Sequence, residues 1–288
     1  MPHTSEYTTV TPAYLAKLPC AKHAWPDVCN IIDSARTSIR TMNSQNTFVE
    51  LEMRFGRRLQ GFRPGVSEQS MRDLEARFDS GREWKRVDPW HNIHVFFHSS
   101  AVPGDRRRLR TEVTFRPGCE ESKRVECTQK ELVCNHDYRT VTLALPETTS
   151  QITPADIRIA LNVEHAVPKA DVPEITVPSA VHLKTRKCYY YAPTGTEEPV
   201  WCYVLTKRWV GTTLQDAKIA QATKEPTYEM EIECLSPEYL VSVDGGKVAA
   251  KMLYKACDVL DILVPELRDK SAYMIEPTQN AMLWTRHK

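Results

Sequence analysis

The sequence has no long apolar segment and little glycine, and each shortage excludes a class of protein. No stretch approaches the roughly 18 apolar residues that a membrane-spanning helix needs, and the first residues lack the apolar core of a secretion signal. Ten glycines in 288 residues are too few for a collagen-like or linker-rich chain. We therefore expect a globular protein that is neither secreted nor inserted in a membrane.

Paired cysteine motifs are also missing. The nine cysteines are odd in number, and no two of them form a C-x-x-C pair. This usage argues against a disulfide framework and against a zinc ribbon. It is typical of reduced thiols in the cytosol or nucleus.

The chain has no excess of charge of one sign. Its 38 lysines and arginines nearly balance its 37 aspartates and glutamates, for a formal net charge of +1. A polybasic protein and an acidic-tail protein are therefore excluded. A highly charged ligand could bind only where charge is concentrated locally.

The hydrophobic periodicity predicts helices at both ends and strands between them. Helices are expected over 13–42, with a break near Pro26, and over 67–78 and 247–263, with a turn at 244–246. The predicted strands are 47–57, 83–99, 106–116, 122–134, 156–166, 181–191, 200–210 and 227–235. We expect a flexible N-terminus over 1–12 and a single α+β, mainly antiparallel domain over 13–288, whose strands are numerous enough to close a barrel.

Glutamates occupy one face of two predicted strands. Glu50 and Glu52 alternate with apolar residues near one end of the chain, and Glu229, Glu231 and Glu233 do so near the other. A solvated strand face is the simpler explanation. However, three successive glutamates on one face repel one another, and carboxylates crowded in this way often hold a cation.

Basic residues occupy one face of other predicted strands. These residues are Arg106, Arg108 and Arg110 on one strand, Lys130 on the next, Arg158 beside Asn162 and Glu164, and then His182, Lys184 and Arg186. We expect the charged faces to converge inside a barrel and the apolar faces to lie outside, under the helices. Such burial requires that acids and bases neutralise each other, or that a ligand does so.

At this point the residues resemble a known family. The glutamate strands at 50–56 and 229–233 resemble those of the triphosphate tunnel metalloenzymes. The segments 156–164, followed by Val167 and Pro168, and 62–67 are similar to the fungal and protozoan branch of metal-dependent RNA 5′-triphosphatases, which act first in mRNA capping. The resemblance spans roughly residues 47–240 and implies an eight-stranded antiparallel tunnel.

The resemblance also implies a site. Glu50, Glu52 and Glu233 would bind Mg²⁺ or Mn²⁺, while Glu231 and Glu229 would hold basic partners and water from the same wall. Glu164 would orient or deprotonate the attacking water. The residues expected to bind the triphosphate are Arg108, Arg110, Lys130, Arg158, Lys184, Arg186 and Lys207.

Two positions depart from the family pattern. His182 stands where the family often has arginine, and it can bind phosphate as a cation only when protonated. Val204 stands where the family has an inward acid. Either the register of this strand is shifted, with Lys207 or Arg208 inward, or the supporting contact is absent.

By resemblance, the expected reaction is removal of the γ-phosphate from the 5′-triphosphate end of nascent mRNA in the nucleus, with NTP hydrolysis in Mn²⁺ or Co²⁺. No nucleotidyl-lysine segment is visible, so a separate RNA guanylyltransferase would have to perform the next step of capping. A monomer is favoured over a homodimer. Two alternatives stay open. One is a tripolyphosphatase or thiamine triphosphatase of the same superfamily. The other is a non-catalytic RNA-binding barrel that uses the arginines of 106–110.

Overall fold

Eight antiparallel strands close into a barrel in this computed structural model, which describes residues 19–42, 46–98, 108–115, 122–142, 155–167, 178–193, 196–264 and 273–278. The barrel strands are β1 (Thr47–Arg58), β3 (Trp84–His98), β4 (Arg108–Phe115), β5 (Ser122–Thr142), β6 (Asp156–Ala166), β7 (Ala180–Tyr191), β8 (Trp201–Gly211) and β9 (Thr227–Cys234). Their order around the barrel is β1-β6-β5-β4-β3-β7-β8-β9, and β9 pairs again with β1. Two short strands, β2 (Phe62–Pro64) and β10 (Tyr273–Pro277), extend β1 and β5 at their ends.

Helices cover the apolar outer face of the barrel. They are α1 (Trp25–Thr41), α2 (Glu68–Ser80), α3 (Leu214–Thr223), α4 (Pro237–Ser242) and α5 (Gly245–Leu263). Leu51 and Met53 of β1 are fully buried against this layer, although they alternate with the glutamates of the same strand. The expectation of an apolar outside and a charged inside is therefore confirmed. None of the described helices combines the length and the apolar character needed to cross a bilayer.

One predicted helix boundary is confirmed and another differs. A 3₁₀ helix (Pro19–Ala21) and a turn precede α1, so the chain breaks near Pro26 as expected, and Pro26 lies in the first turn of α1, where no amide donor is needed. Residues 13–18 of the first predicted piece lie outside the described residues. Asp244 caps α5 by accepting a hydrogen bond from the Lys247 amide, so the segment predicted as a turn begins a helix.

The helix α3 and the strands β2 and β10 were not predicted, and β5 is longer than predicted. The helix α3 buries only Ala217 and Ala220, a pattern too weak to reveal a helix from the sequence. The strand β5 continues to Thr142, and β10 lies in a segment for which no element was predicted. The predicted flexible N-terminus and Arg106 lie outside the described residues.

A glycine in β1 allows β2 to approach closely. Gly56 pairs with Pro64 on one side and with Asp156 on the other, and a Cβ at this position would lie 2.2 Å from the carbonyl oxygen of Arg63. We expect Gly56→Ala to lower the free energy of unfolding by about 1–3 kcal/mol, because backbone must move to relieve the overlap. Urea denaturation measures this loss.

Gly61→Ala is the matched control, because a Cβ at Gly61 meets no heavy atom within 4 Å. We expect its effect to stay within about 0.5 kcal/mol. Equal losses in the two variants would contradict the steric explanation.

Candidate active site

Three carboxylates meet inside the barrel. The register of β1 and β9 places Glu52 opposite Glu233, and Glu50 lies one position along the same face. One oxygen from each of the three lies within 4.8 Å of the others. An all-oxygen donor set of this kind suits a hard divalent cation such as Mg²⁺ or Mn²⁺.

The electrostatics of the three carboxylates fit a bound cation. Burial raises the pKa of Glu52, and the adjacent Glu50 raises it further. Burial also raises the pKa of Glu233 to about 8; Arg186 opposes this rise, while Glu231 and Glu50 add to it. Burial thus disfavours the ionised carboxylates, and a divalent cation held by Glu50, Glu52 and Glu233 would stabilise their charged forms.

Neighbouring donors hold these carboxylates in place. The side-chain amide of Asn162 donates to Glu50 and Glu52, each at 3.1 Å. The Lys130 ammonium donates to Glu50 and lies 3.5 Å from Glu52 and 3.6 Å from Glu164. Burial lowers the pKa of Lys130, but Glu52 and Glu50 outweigh that effect and raise it. Lys130 therefore stays charged and partly neutralises the acidic wall.

Arg54 joins the two glutamate strands, a role that sequence analysis missed. Its guanidinium lies 2.8 Å from an oxygen of Glu52 and 2.9 Å from an oxygen of Glu231. Burial raises the pKa of Glu231, but Arg54, Lys184 and Arg186 together lower it to about 2. Glu231 is therefore ionised and holds the Arg54 guanidinium by an ion pair. The one sequence signal for Arg54 is its place as the next inward position after Glu52.

The Arg110 guanidinium binds Glu164 across the barrel. Its Nη2 donates to both oxygens of Glu164, at 2.9 and 3.1 Å, and its Nε donates to Thr128 at 3.0 Å. Lys130 approaches the same carboxylate at 3.6 Å, so Glu164 contacts two cations. Its expected role in orienting or deprotonating the attacking water stays a prediction. Arg108 pairs with Lys130 in the β4–β5 register, but its side chain lies outside the described part of the chain.

Lys184 and Arg186 line the interior near the glutamates of β9 but make no direct contact with a carboxylate of the described residues. Both are on the inward face of β7, and neither side chain makes a hydrogen bond or an ion pair within 4.0 Å with any residue that the structure describes. The Nε of Arg186 is buried with no hydrogen-bond partner. Burial and Arg186 lower the pKa of Lys184, although Glu231 opposes them. Burial also acts to lower the pKa of Arg186, but Glu233 and other carboxylates outweigh it and raise that pKa. Enclosed cations without a partner are costly, so this wall is suited to an anion.

Arg158 already has its counter-ion. Its Nε and Nη2 donate to the two oxygens of Asp137, at 2.6 and 3.0 Å, and its guanidinium stacks 4.7 Å from the centre of the Phe62 ring. Arg158 lies on the predicted inward face of β6. Its charge is already neutralised by Asp137, unlike the charges of the β7 cations, which make no direct ion pair with the described residues. Its expected role in binding the triphosphate stays a prediction.

The expectation for Lys207 is corrected by the register of β8. Lys207 lies on the outer face, with its ammonium 4.7 Å from the centre of the Trp90 ring. Arg208 takes the inward position, and its Nη2 lies 3.1 Å from Glu229. Val204 is inward as well, so the supporting acid of the family pattern is absent at that position. Adjacent Lys and Arg residues gave no sequence signal for which one faces inward.

His182 faces the interior as a neutral side chain. Burial lowers its pKa to about 4, and the nearby charges of Arg208 and Lys184 contribute. Its ring lies 4.6 Å from the ring of Phe97, centre to centre. His182 is therefore not a phosphate-binding cation at neutral pH.

The fold of the chain is also found among solved structures, although no model of a known family and no curated protein matches the sequence. The mimivirus capping enzyme triphosphatase matches with a TM-score of 0.50 at 11% identity, over 82% of this chain and 97% of that one. The S. pombe RNA triphosphatase Pct1 matches with a TM-score of 0.49 at 14% identity, over 82% and 91%. At these identities the likeness concerns architecture alone. The chain thus has the antiparallel tunnel fold that its sequence resemblance implied.

Proposed function

We propose that this protein removes the γ-phosphate from the 5′-triphosphate end of RNA, with Mg²⁺ or Mn²⁺ as cofactor. The observation that carries the proposal is a pair of interior cations, Lys184 and Arg186, that make no hydrogen bond or ion pair with the described residues and that share the tunnel with the cluster of Glu50, Glu52 and Glu233. A divalent cation and a polyphosphate together would neutralise both walls. An anion alone would leave the carboxylates of the acidic wall without a counter-ion.

The residues divide the chemistry between them. A divalent cation held by the three glutamates would polarise the γ-phosphate. Lys184 and Arg186 bind phosphate oxygens and stabilise the charge that develops there during transfer. Arg54 and Asn162 fix the orientation of the metal-binding carboxylates.

RNA is proposed as the substrate on the strength of the sequence resemblance to the capping branch. In that setting the diphosphate-ended product passes to a separate RNA guanylyltransferase, and the protein acts in the nucleus. NTP hydrolysis in Mn²⁺ or Co²⁺ belongs to the same proposal. The monomeric state stays a prediction.

The decisive assay compares phosphate release from triphosphate-ended RNA, tripolyphosphate and thiamine triphosphate, each with Mn²⁺ and with EDTA. We expect release only with the divalent cation, and the highest kcat/KM on RNA. A preference for either of the other substrates would identify a different triphosphatase. Tight RNA binding in EDTA without release in Mn²⁺ would instead indicate a binding barrel.

The metal assignment is tested by Glu233→Gln. Loss of one of three carboxylate ligands should abolish the Mn²⁺-dependent rise in thermal midpoint and the phosphate release, while the circular dichroism spectrum in EDTA stays that of the folded protein. Glu229→Gln is the matched control, because Glu229 lies on the same face of β9 but outside the cluster. A Glu233→Gln protein that keeps the full Mn²⁺ shift would refute the assignment.

The anion-binding wall is tested by Lys184→Gln and Arg186→Gln. Each should lower kcat/KM by about 10²–10³-fold, since each removes a cation aimed at transferring charge. His182→Gln should change kcat/KM far less, because His182 is neutral at the assay pH. Similar losses of kcat/KM in all three variants would contradict the assignment of Lys184 and Arg186 as phosphate-binding cations.

A further inference from the structure

One mouth of the tunnel carries an exposed aromatic ring. Phe48, near the start of β1, is 56% exposed. It lies on the same face as Glu50 and directly opposite Glu164 of β6. Single exposed apolar residues are common on protein surfaces, so exposure alone does not make this a site.

A cavity of about 690 Å³ adjoins the ring. Its lining includes Phe48, Arg110, Glu112, Thr128 and Glu164. The volume falls within the roughly 300–1,000 Å³ that is usual for small-molecule sites. An aromatic face and a guanidinium thus border the same open space.

The cavity is tied to the candidate active site by shared residues. Glu164 and Arg110 line it, and Glu164 also approaches Lys130, which contacts Glu50. Residues two apart on a strand face are about 7 Å apart, so Phe48 stands one such step outward from Glu50. Among the described residues, the cavity is lined by one basic residue, Arg110, and by three carboxylates, Glu112, Glu126 and Glu164. This mouth is therefore suited to an uncharged base and not to the phosphates.

We infer that Phe48 is a stacking platform for the base of the substrate's terminal nucleoside. The inference rests on the proposed function and specifies its substrate class as nucleoside-linked triphosphates. Every base has a π-face, so stacking on Phe48 tolerates any first nucleotide. Glu164, beside the mouth and bound to Arg110, positions cations in this arrangement.

The test compares kcat/KM for ATP and for triphosphate-ended RNA with kcat/KM for inorganic tripolyphosphate, in the Mn²⁺-loaded protein. In Phe48→Ala the ratio of nucleotide to tripolyphosphate should fall about tenfold, through KM, whereas Phe48→Trp should retain it. Leu59→Ala is the control, because Leu59 is 68% exposed but does not line the cavity. An unchanged ratio in Phe48→Ala, or equal losses on all substrates, would overturn the inference.

A second measurement separates this inference from the proposed function. If the wild-type protein hydrolyses no triphosphate, the proposed function fails, and calorimetry with Mn²⁺ and the non-hydrolysable analogue AMP-PNP then decides the subsite. About tenfold weaker binding by Phe48→Ala than by Leu59→Ala supports it. Equal affinities, or no binding to the wild type, overturn it.

Discussion

Carboxylates that face one another inside a closed barrel must be neutralised, and the interior of this protein is organised by that requirement. Glu52 and Glu233 are direct neighbours across β1 and β9. Arg54 and Lys130 supply part of the compensating charge, yet the cluster still lacks a cation. An apolar filling of similar volume would be at least as stable, so the retained charge is best explained by a ligand.

The same requirement shapes the outside of the molecule. A strand that turns its charged face inward must turn its apolar face outward, and that face needs a cover. Leu51 and Met53 are covered by a core that they share with α1 and α5, while Val181 and Leu183 of β7 pack against α3. The helices are therefore a consequence of the charged tunnel as much as an independent part of the fold.

The alternation of residues let the sequence predict most of this arrangement. Period two assigns each residue of a strand to one face, so the glutamates of each strand could be assigned to a shared face. The grouping of Glu50, Glu52 and Glu233 came from the family resemblance. The alternation does not reveal pairing between strands. Whether Arg208 or Lys207 faces the interior depends on how β8 pairs with β9. Two adjacent basic residues do not show in the sequence which of them faces inward.

Distant partners were equally invisible in the sequence. The Arg158–Asp137 ion pair joins β6 to the part of β5 beyond its predicted end, and a register shift between Leu132 and Cys134 precedes Asp137. A local pattern cannot anticipate such a shift, because it depends on how the two strands fit side by side.

The enclosure of Lys184 and Arg186 has a consequence for how a polyanion is captured. Mobile ions screen exposed charges beyond about 8 Å at physiological ionic strength, but they screen enclosed charges much less. A protein that grips phosphates on its surface loses affinity steeply as salt is added. Here the cations stand inside the wall, and the whole chain carries a formal charge of only +1. If the chain binds a triphosphate as proposed, the attraction should therefore be short in range and resistant to salt, and it should act only inside the tunnel.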